Sequence, residues 1–105
     1  MNRKIVFSKK AELQIEEIYQ YVLSKSNDKG TAKKLANELI DKTEILKTQA
    51  FVGRQLEIID NIITQYRFLV YKDYLIFYRV DENKVYVDRI LSSKTDYVKE
   101  FVKEL

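Results

Sequence analysis

The sequence predicts an α+β fold: an N-terminal strand, an antiparallel helical hairpin packed on a twisted antiparallel β-sheet, and a short C-terminal helix. Three observations carry this. Apolar residues recur with helical spacing between Ala11 and Leu46. The period then changes to two, over segments rich in β-branched and aromatic residues up to Leu91. Helices followed by a run of strands point to helices segregated on one side of an antiparallel sheet. The 105 residues are the length of one domain, residues 1–105, large enough to bury a core without covalent staples.

Lys4 to Phe7 is a short strand. Ser8 follows where an N-cap belongs, because its hydroxyl can accept from free helical N–H groups. Ile15, Ile18, Tyr19 and Val22 then repeat at i, i+3, i+4 and i+7, and the helix is expected to stop near Lys25. A second helix starts at Asp28 or Thr31 as its cap. Its stripe is Ala32, Leu35, Ala36, Leu39, Ile40 and Leu46. The short polar connection makes the two helices an antiparallel hairpin. Thr48 to Gln55 contains Gly53 and breaks the pattern. Strands are expected at Leu56 to Asp60, Ile62 to Tyr71, Tyr74 to Val80 and Val85 to Leu91, with a turn over Asp81 to Lys84. Asp96 to Glu104 is a terminal helix capped by Thr95, its apolar face formed by Tyr97, Val98, Phe101 and Val102.

The loop between Tyr71 and Tyr74 sets the register, and register sets the faces of the sheet. A two-residue loop places Arg67 and Arg79 on opposite faces. A three-residue loop, Tyr71-Lys72-Asp73, pairs Val70 with Tyr74 and keeps both arginines beside Leu69, Leu75 and Phe77 on one face, away from the helices. An unpaired guanidinium in a core is costly, so the three-residue loop is the expectation, with Asp73 in the left-handed position. In the next strand strict alternation puts Arg89 on the side of Val85 and Val87. There it needs a carboxylate or a route to solvent, while Asp88 shares the open face with Arg79.

Composition removes several chemistries. The chain has no Cys and no His, which excludes disulfides, thiolate zinc sites and His-based triads. It has no Pro and two Gly, too few for a Gly-rich phosphate loop. Its 19 basic and 16 acidic residues give a formal charge of +3, mildly attractive to polyanions. The start has no long apolar run, and nothing approaches a membrane span, so a cytoplasmic chain with no membrane contact is expected. The carboxylates show no metal or acid–base spacing, so no metal or cofactor is expected. Arg67 and Arg79, with Arg54, Arg89 and Lys94 at their rim, form a basic group able to bind phosphates bidentately. The plainer reading is solvated charge and local ion pairs such as Arg79 with Asp88. Most tyrosines, among them Tyr19, Tyr21, Tyr66, Tyr74 and Tyr78, have the spacing of core packing. Tyr97 follows a polar loop, where a hydroxyl can serve in proton transfer.

A set of segments, in order along the chain, carries a resemblance. Ala11, Leu13, Ile18-Tyr19-x-Tyr21-Val22, Gly53-Arg54, Tyr66-Arg67-x-Leu69, Tyr74-Leu75-Ile76-Phe77-Tyr78-Arg79-Val80-Asp81 and Arg89-Ile90-Leu91-x-x-Lys94-x-Asp96-Tyr97 resemble the RelE/ParE superfamily of type II toxins, also known as plasmid stabilisation proteins. The resemblance implies growth inhibition and neutralisation by a cognate antitoxin, a partner with an acidic and apolar segment. RelE-like members cut mRNA on the ribosome; ParE-like members poison DNA gyrase. Arg67 falls on a basic position of the cutters, but Leu69 and Leu75 stand where further basic residues belong. The ending from Arg89 to Asp96 is closer to the ParE-like pattern. The resemblance thus implies a gyrase inhibitor that binds its target through Arg54, Arg67, Phe77, Arg79 and Lys94. The alternative is an mRNA endonuclease using Arg67, Arg79, Arg89, Lys94 and Tyr97. A second alternative is a non-toxic binding module.

Overall fold

The computed structural model describes residues 2–58 and 62–103. The elements are β1 (Lys4–Phe7), α1 (Lys9–Ser26), α2 (Lys29–Lys42), a 3-10 turn (Thr43–Lys47), β2 (Arg54–Glu57), β3 (Ile63–Tyr71), β4 (Tyr74–Val80), β5 (Lys84–Ser92) and α3 (Tyr97–Val102). The expected ends of the second strand at Ile59 and Asp60 and of the last helix at Glu104 lie outside the described residues. No helix among those described is long and apolar enough to cross a membrane.

The caps explain the helix ends. Ser8 Oγ accepts from the Ala11 N–H at 2.9 Å and opens α1. Asn27 closes it in the left-handed conformation, φ 54°, and donates its N–H to Leu23. Asp28, rather than Thr31, caps α2, accepting from the Gly30 N–H and the Thr31 hydroxyl, both at 2.9 Å. The last helix starts after Asp96, which replaces Thr95 as its cap.

The five strands lie in the order β1-β5-β4-β3-β2. Neighbours pair antiparallel except β1, which joins β5 in parallel. The helical hairpin covers one face. Ala11, Leu39, Leu46, Ile76, Tyr78, Val85, Val87 and Ile90 form that core.

The expected three-residue loop is wrong. Tyr71 pairs with Tyr74 across a two-residue loop, and Lys72 takes the left-handed position with φ 51°, not Asp73. Arg67 therefore pairs with Tyr78 and faces the hairpin side, opposite Arg79. The penalty that argued against this register is avoided by position. Arg67 lies at the end of the hairpin face, and its Nη1 donates to the carbonyls of Phe51 at 3.2 Å and Gly53 at 2.9 Å. A guanidinium bonded to carbonyls at the rim escapes the cost of a core charge.

The face expected to be open is instead a second core. Phe77 is 0% exposed and packs with Leu56, Ile58, Leu75 and Phe101, under α3. Phe101 and Tyr97 stack on Phe77 with ring centroids 4.8 and 5.6 Å apart. Leu75, placed on an open face by the sequence argument, is buried. Leu75→Ala is therefore expected to cost about 2–4 kcal/mol, close to Ile76→Ala in the other core. Urea melts of the two variants check this; a cost for Leu75→Ala well below 1 kcal/mol would show that α3 does not seal this face.

A bulge in β5 reconciles Arg89 with this arrangement. Phe77 pairs with Arg89, but Tyr78 pairs with Val87, so Asp88 is the extra residue and the alternation changes phase. Val85 and Val87 face the hairpin, whereas Arg89 turns to the α3 side. Helix α1 covers the edge of β5 that extends past the end of β1. The Ser8 hydroxyl donates to the Asp88 carbonyl, and Gln14 Oε1 accepts from the Ile90 N–H at 2.6 Å.

Candidate functional site

The basic residues singled out by sequence do not all share one surface. Arg67 is on the hairpin face, with its guanidinium held on the loop carbonyls and 5.2 Å from the Phe51 ring centroid. Arg79 is on the opposite face at the end of β4, stacked over Tyr86 at 4.1 Å. It does not pair with Asp88 as expected. Asp88 instead accepts from Arg89 Nε at 2.8 Å. Arg89 is 2% exposed; it also donates to the Glu100 carbonyl at 3.3 Å and lies 4.3 Å from the Phe101 ring centroid. It anchors α3 to the sheet and presents no guanidinium to solvent. Arg54 is exposed at the start of β2, the outermost strand.

Lys94 lies at the other end of the sheet. Its loop is tied to the β3–β4 turn by the Ser93 N–H donating to the Asp73 carbonyl at 2.7 Å. Arg79 and Tyr74 stand at opposite ends of β4, roughly 17 Å of extended chain apart at about 3.3 Å per residue. Lys94 is thus remote from Arg79. Tyr97, a candidate for proton transfer, packs its ring on Phe77. Phe77 itself, expected in a binding surface, is sealed beneath it. Arg54, opposite Phe68, and Arg79 lie on one face of the sheet, two strands apart, and Lys94 is exposed at the far end.

One concavity was not anticipated from sequence. A groove of about 620 Å³ runs between α1 and the end of the sheet, lined by Gln14, Glu17, Ile18, Tyr21, Tyr74 and Lys94 among others. A second hollow of about 400 Å³ lies between α2 and the β3–β4 turn and shares Asp73 and Tyr74 with it. Tyr21, expected in the core, is 60% exposed here. Between the hollows and the turn, Tyr71 donates to Glu38 and Lys72 lies 3.5 Å from it. The Tyr71 hydroxyl, and then Lys72, hold the Glu38 carboxyl below its ordinary value; the same bond to Glu38 raises Tyr71. The network ties α2 to the turn. The only sequence signal for the groove was the run of tyrosines, whose spacing reads equally as core.

Among the described residues no cluster of His, Cys, Asp and Glu is arranged to hold a metal ion. Arginines fixed by carbonyls and stacked on rings can hold an anionic partner, but no two candidate groups converge on one reacting atom.

One solved structure, from the chromosomal ParDE toxin–antitoxin system of P. aeruginosa, superposes with a TM-score of 0.71 at 16% identity, covering 86% of this chain and 95% of that one. YafQ from E. coli gives a TM-score of 0.44 at 20% identity, covering 86% and 92% of the two chains. YoeB from S. aureus, a dimer, gives 0.44 at 24% identity, covering 85% and 94%. No curated protein sequence matches the chain. Residues 5–97 match the family model described as ParE toxin of the parDE type II toxin–antitoxin system. That span runs from β1 to the first residue of α3, and on it the chain belongs to the ParE toxin family of type II toxin–antitoxin systems.

Proposed function

We propose that this ParE-type chain, acting as one domain over residues 1–105, arrests growth by binding DNA gyrase in the cytoplasm. A cognate antitoxin neutralises it. The observation that carries the gyrase reading is the dispersal of the candidate nuclease residues. Cleavage of RNA needs the 2′-hydroxyl deprotonated, the phosphorane charge held and the leaving oxygen protonated at one place. Here Arg67 and Arg79 are on opposite faces, Arg89 is buried, and Lys94 is at the far end of the sheet. Inhibition by docking needs no such convergence. It needs accessible basic and apolar surface, which Arg54, Arg79 and Lys94 and the exposed aromatics supply.

Expression without antitoxin is expected to arrest a bacterial host. Purified chain is expected to block gyrase supercoiling and to leave mRNA intact in a translating extract. Ribosome-dependent cleavage without supercoiling inhibition would establish the RelE-like endonuclease instead. Normal growth with folded protein accumulating would leave a non-toxic binding module.

Tyr97→Phe separates the targets further. A hydroxyl used as acid or base is worth about 10²–10⁴-fold in rate. A ring that packs on Phe77 keeps its area as Phe. Near-normal toxicity is expected for Tyr97→Phe, and weaker toxicity for changes at Lys94, read in growth assays at matched expression. A folded Tyr97→Phe chain without toxicity would overturn the docking reading.

A further inference from the structure

Phe51 lies in the loop between the 3-10 turn and β2, and it is 59% exposed; Val52 beside it is 50% exposed. Two adjacent large apolar side chains held half in water are costly to a chain that gains nothing from them. Two guanidinium groups flank the Phe51 ring, Arg3 at 5.3 Å and Arg67 at 5.2 Å from its centroid. Both are fixed by backbone carbonyls. Arg3 Nε donates to the Asp81 carbonyl at 2.9 Å, and Arg67 Nη1 to Phe51 and Gly53. The Arg3 N–H also donates to the Lys47 carbonyl at 2.8 Å, which holds the start of the chain against the loop.

Two carboxylates of the neighbouring turns are engaged elsewhere. Asp81 Oδ1 accepts from the N–H groups of Asn83 at 2.9 Å and Lys84 at 2.7 Å. Glu44 pairs with Lys47 at 2.6 Å. Among the described residues neither Arg3 nor Arg67 pairs with a carboxylate. Carbonyls orient these two guanidinium groups without neutralising them, so their charge is available to an outside anion.

We propose that Arg3, Phe51, Val52 and Arg67 form a docking site for an acidic segment of the antitoxin, one that places carboxylates on the two arginines and an apolar side chain against Phe51 and Val52. Charge complementarity argues for the carboxylates, and the half-exposed pair argues for the apolar anchor. A nucleic-acid backbone satisfies the first demand only: it offers no apolar side chain to Val52. The identity of the partner rests on the type II toxin reading; the location rests on the geometry.

The test is titration of the cognate antitoxin against the wild-type chain, Arg3→Gln, Phe51→Ala and the double variant, across a salt series. Thermal melts confirm that each variant is folded, and Arg3→Lys, which keeps the charge but loses the planar fork, serves as a milder substitution. The double variant is expected to bind about 10–100-fold more weakly, with a flatter salt dependence than wild type. Arg3→Lys is expected to fall between wild type and Arg3→Gln. Unchanged affinity and salt slope in the folded double variant would overturn the site while leaving the toxin reading intact. A wild-type chain that binds no antitoxin would overturn both. Loss of binding to a labelled single-stranded RNA, with antitoxin affinity unchanged, would assign the patch to nucleic acid and overturn the proposal.

Discussion

Arg89→Ala is expected to lower folding stability by about 3–5 kcal/mol, the range for truncating a large, fully buried side chain to alanine. The guanidinium is 2% exposed, between Asp88 and the Phe101 ring, with Glu100 Oε2 4.0 Å from Nη1. Three losses combine. The side-chain volume beneath α3 is left empty, the Glu100 carbonyl loses a charged donor, and the stacking on Phe101 disappears. One effect works the other way. The side chains of Asp88 and Glu100 are 23% and 35% exposed, so water can reach the carboxylates left behind. Most of the loss is therefore packing and the attachment of α3 rather than stranded charge. Arg89→Met keeps the volume and is expected to cost roughly half as much. Urea denaturation gives both values, and limited proteolysis after Arg89→Ala is expected to cut first near α3. A loss below about 1 kcal/mol, the level of an exposed pair, would show that Arg89 does not clamp the helix.

Gly53→Ala is expected to cost about 3–4 kcal/mol, combining overpacking with a lost buried hydrogen bond. A Cβ at this position would stand 2.4 Å from Tyr78 Oη and 2.8 Å from the Phe68 carbonyl oxygen. Neither neighbour yields easily. Tyr78 is fully buried and accepts the Gly53 N–H at 2.9 Å, and Phe68 is in the middle of β3. The backbone at Gly53 has no positive φ, so the constraint is space and not conformation. Displacing this loop also pulls the Gly53 carbonyl from Arg67. Tyr78→Phe alone is expected to cost about 1–3 kcal/mol for the stranded N–H. In the double variant the nearest clash is gone, so the combined loss is expected to fall short of the sum. Additive losses in thermal melts would mean that the Phe68 carbonyl and the Tyr78 ring carbon, each 2.8 Å from the added Cβ, set the limit and not the hydroxyl.

The Gly53–Tyr78 contact shows why part of the proposed docking surface was hidden. Gly53-Arg54 was visible as a break in the helical pattern, and Arg67 as a strand arginine. That the two meet on one loop, with Phe51 between Arg67 and Arg3, depends on residues brought together from three segments of chain. Arg89 gives the opposite lesson. Its need for either a carboxylate or a route to solvent was legible, because a strand arginine next to core valines has few other solutions. Its partner and its face were not.

What the sequence by itself determined is the local order of the chain and its family. Ser8 as a cap, the hairpin stripe of α1 and α2, and β4 from Tyr74 to Val80 depend on contacts within a turn or on alternation within one strand, and those are written in neighbouring residues. The tertiary structure decided the register, the phase of β5 and the cover on the second face. Lys72 accepted the left-handed turn position that the sequence argument assigned to Asp73, and that one-residue difference moved Arg67 to the other face. The bulge at Asp88 holds because Ser8 and Gln14, 80 and 76 residues from the Asp88 and Ile90 groups they bond, satisfy the backbone that it exposes. Helix α3 then closes over Leu75 and Phe77 because Arg89, turned by that bulge, anchors it. Strand parity is set by such single-residue choices, and their energies depend on partners distant in the chain, so alternation within a segment cannot reveal them.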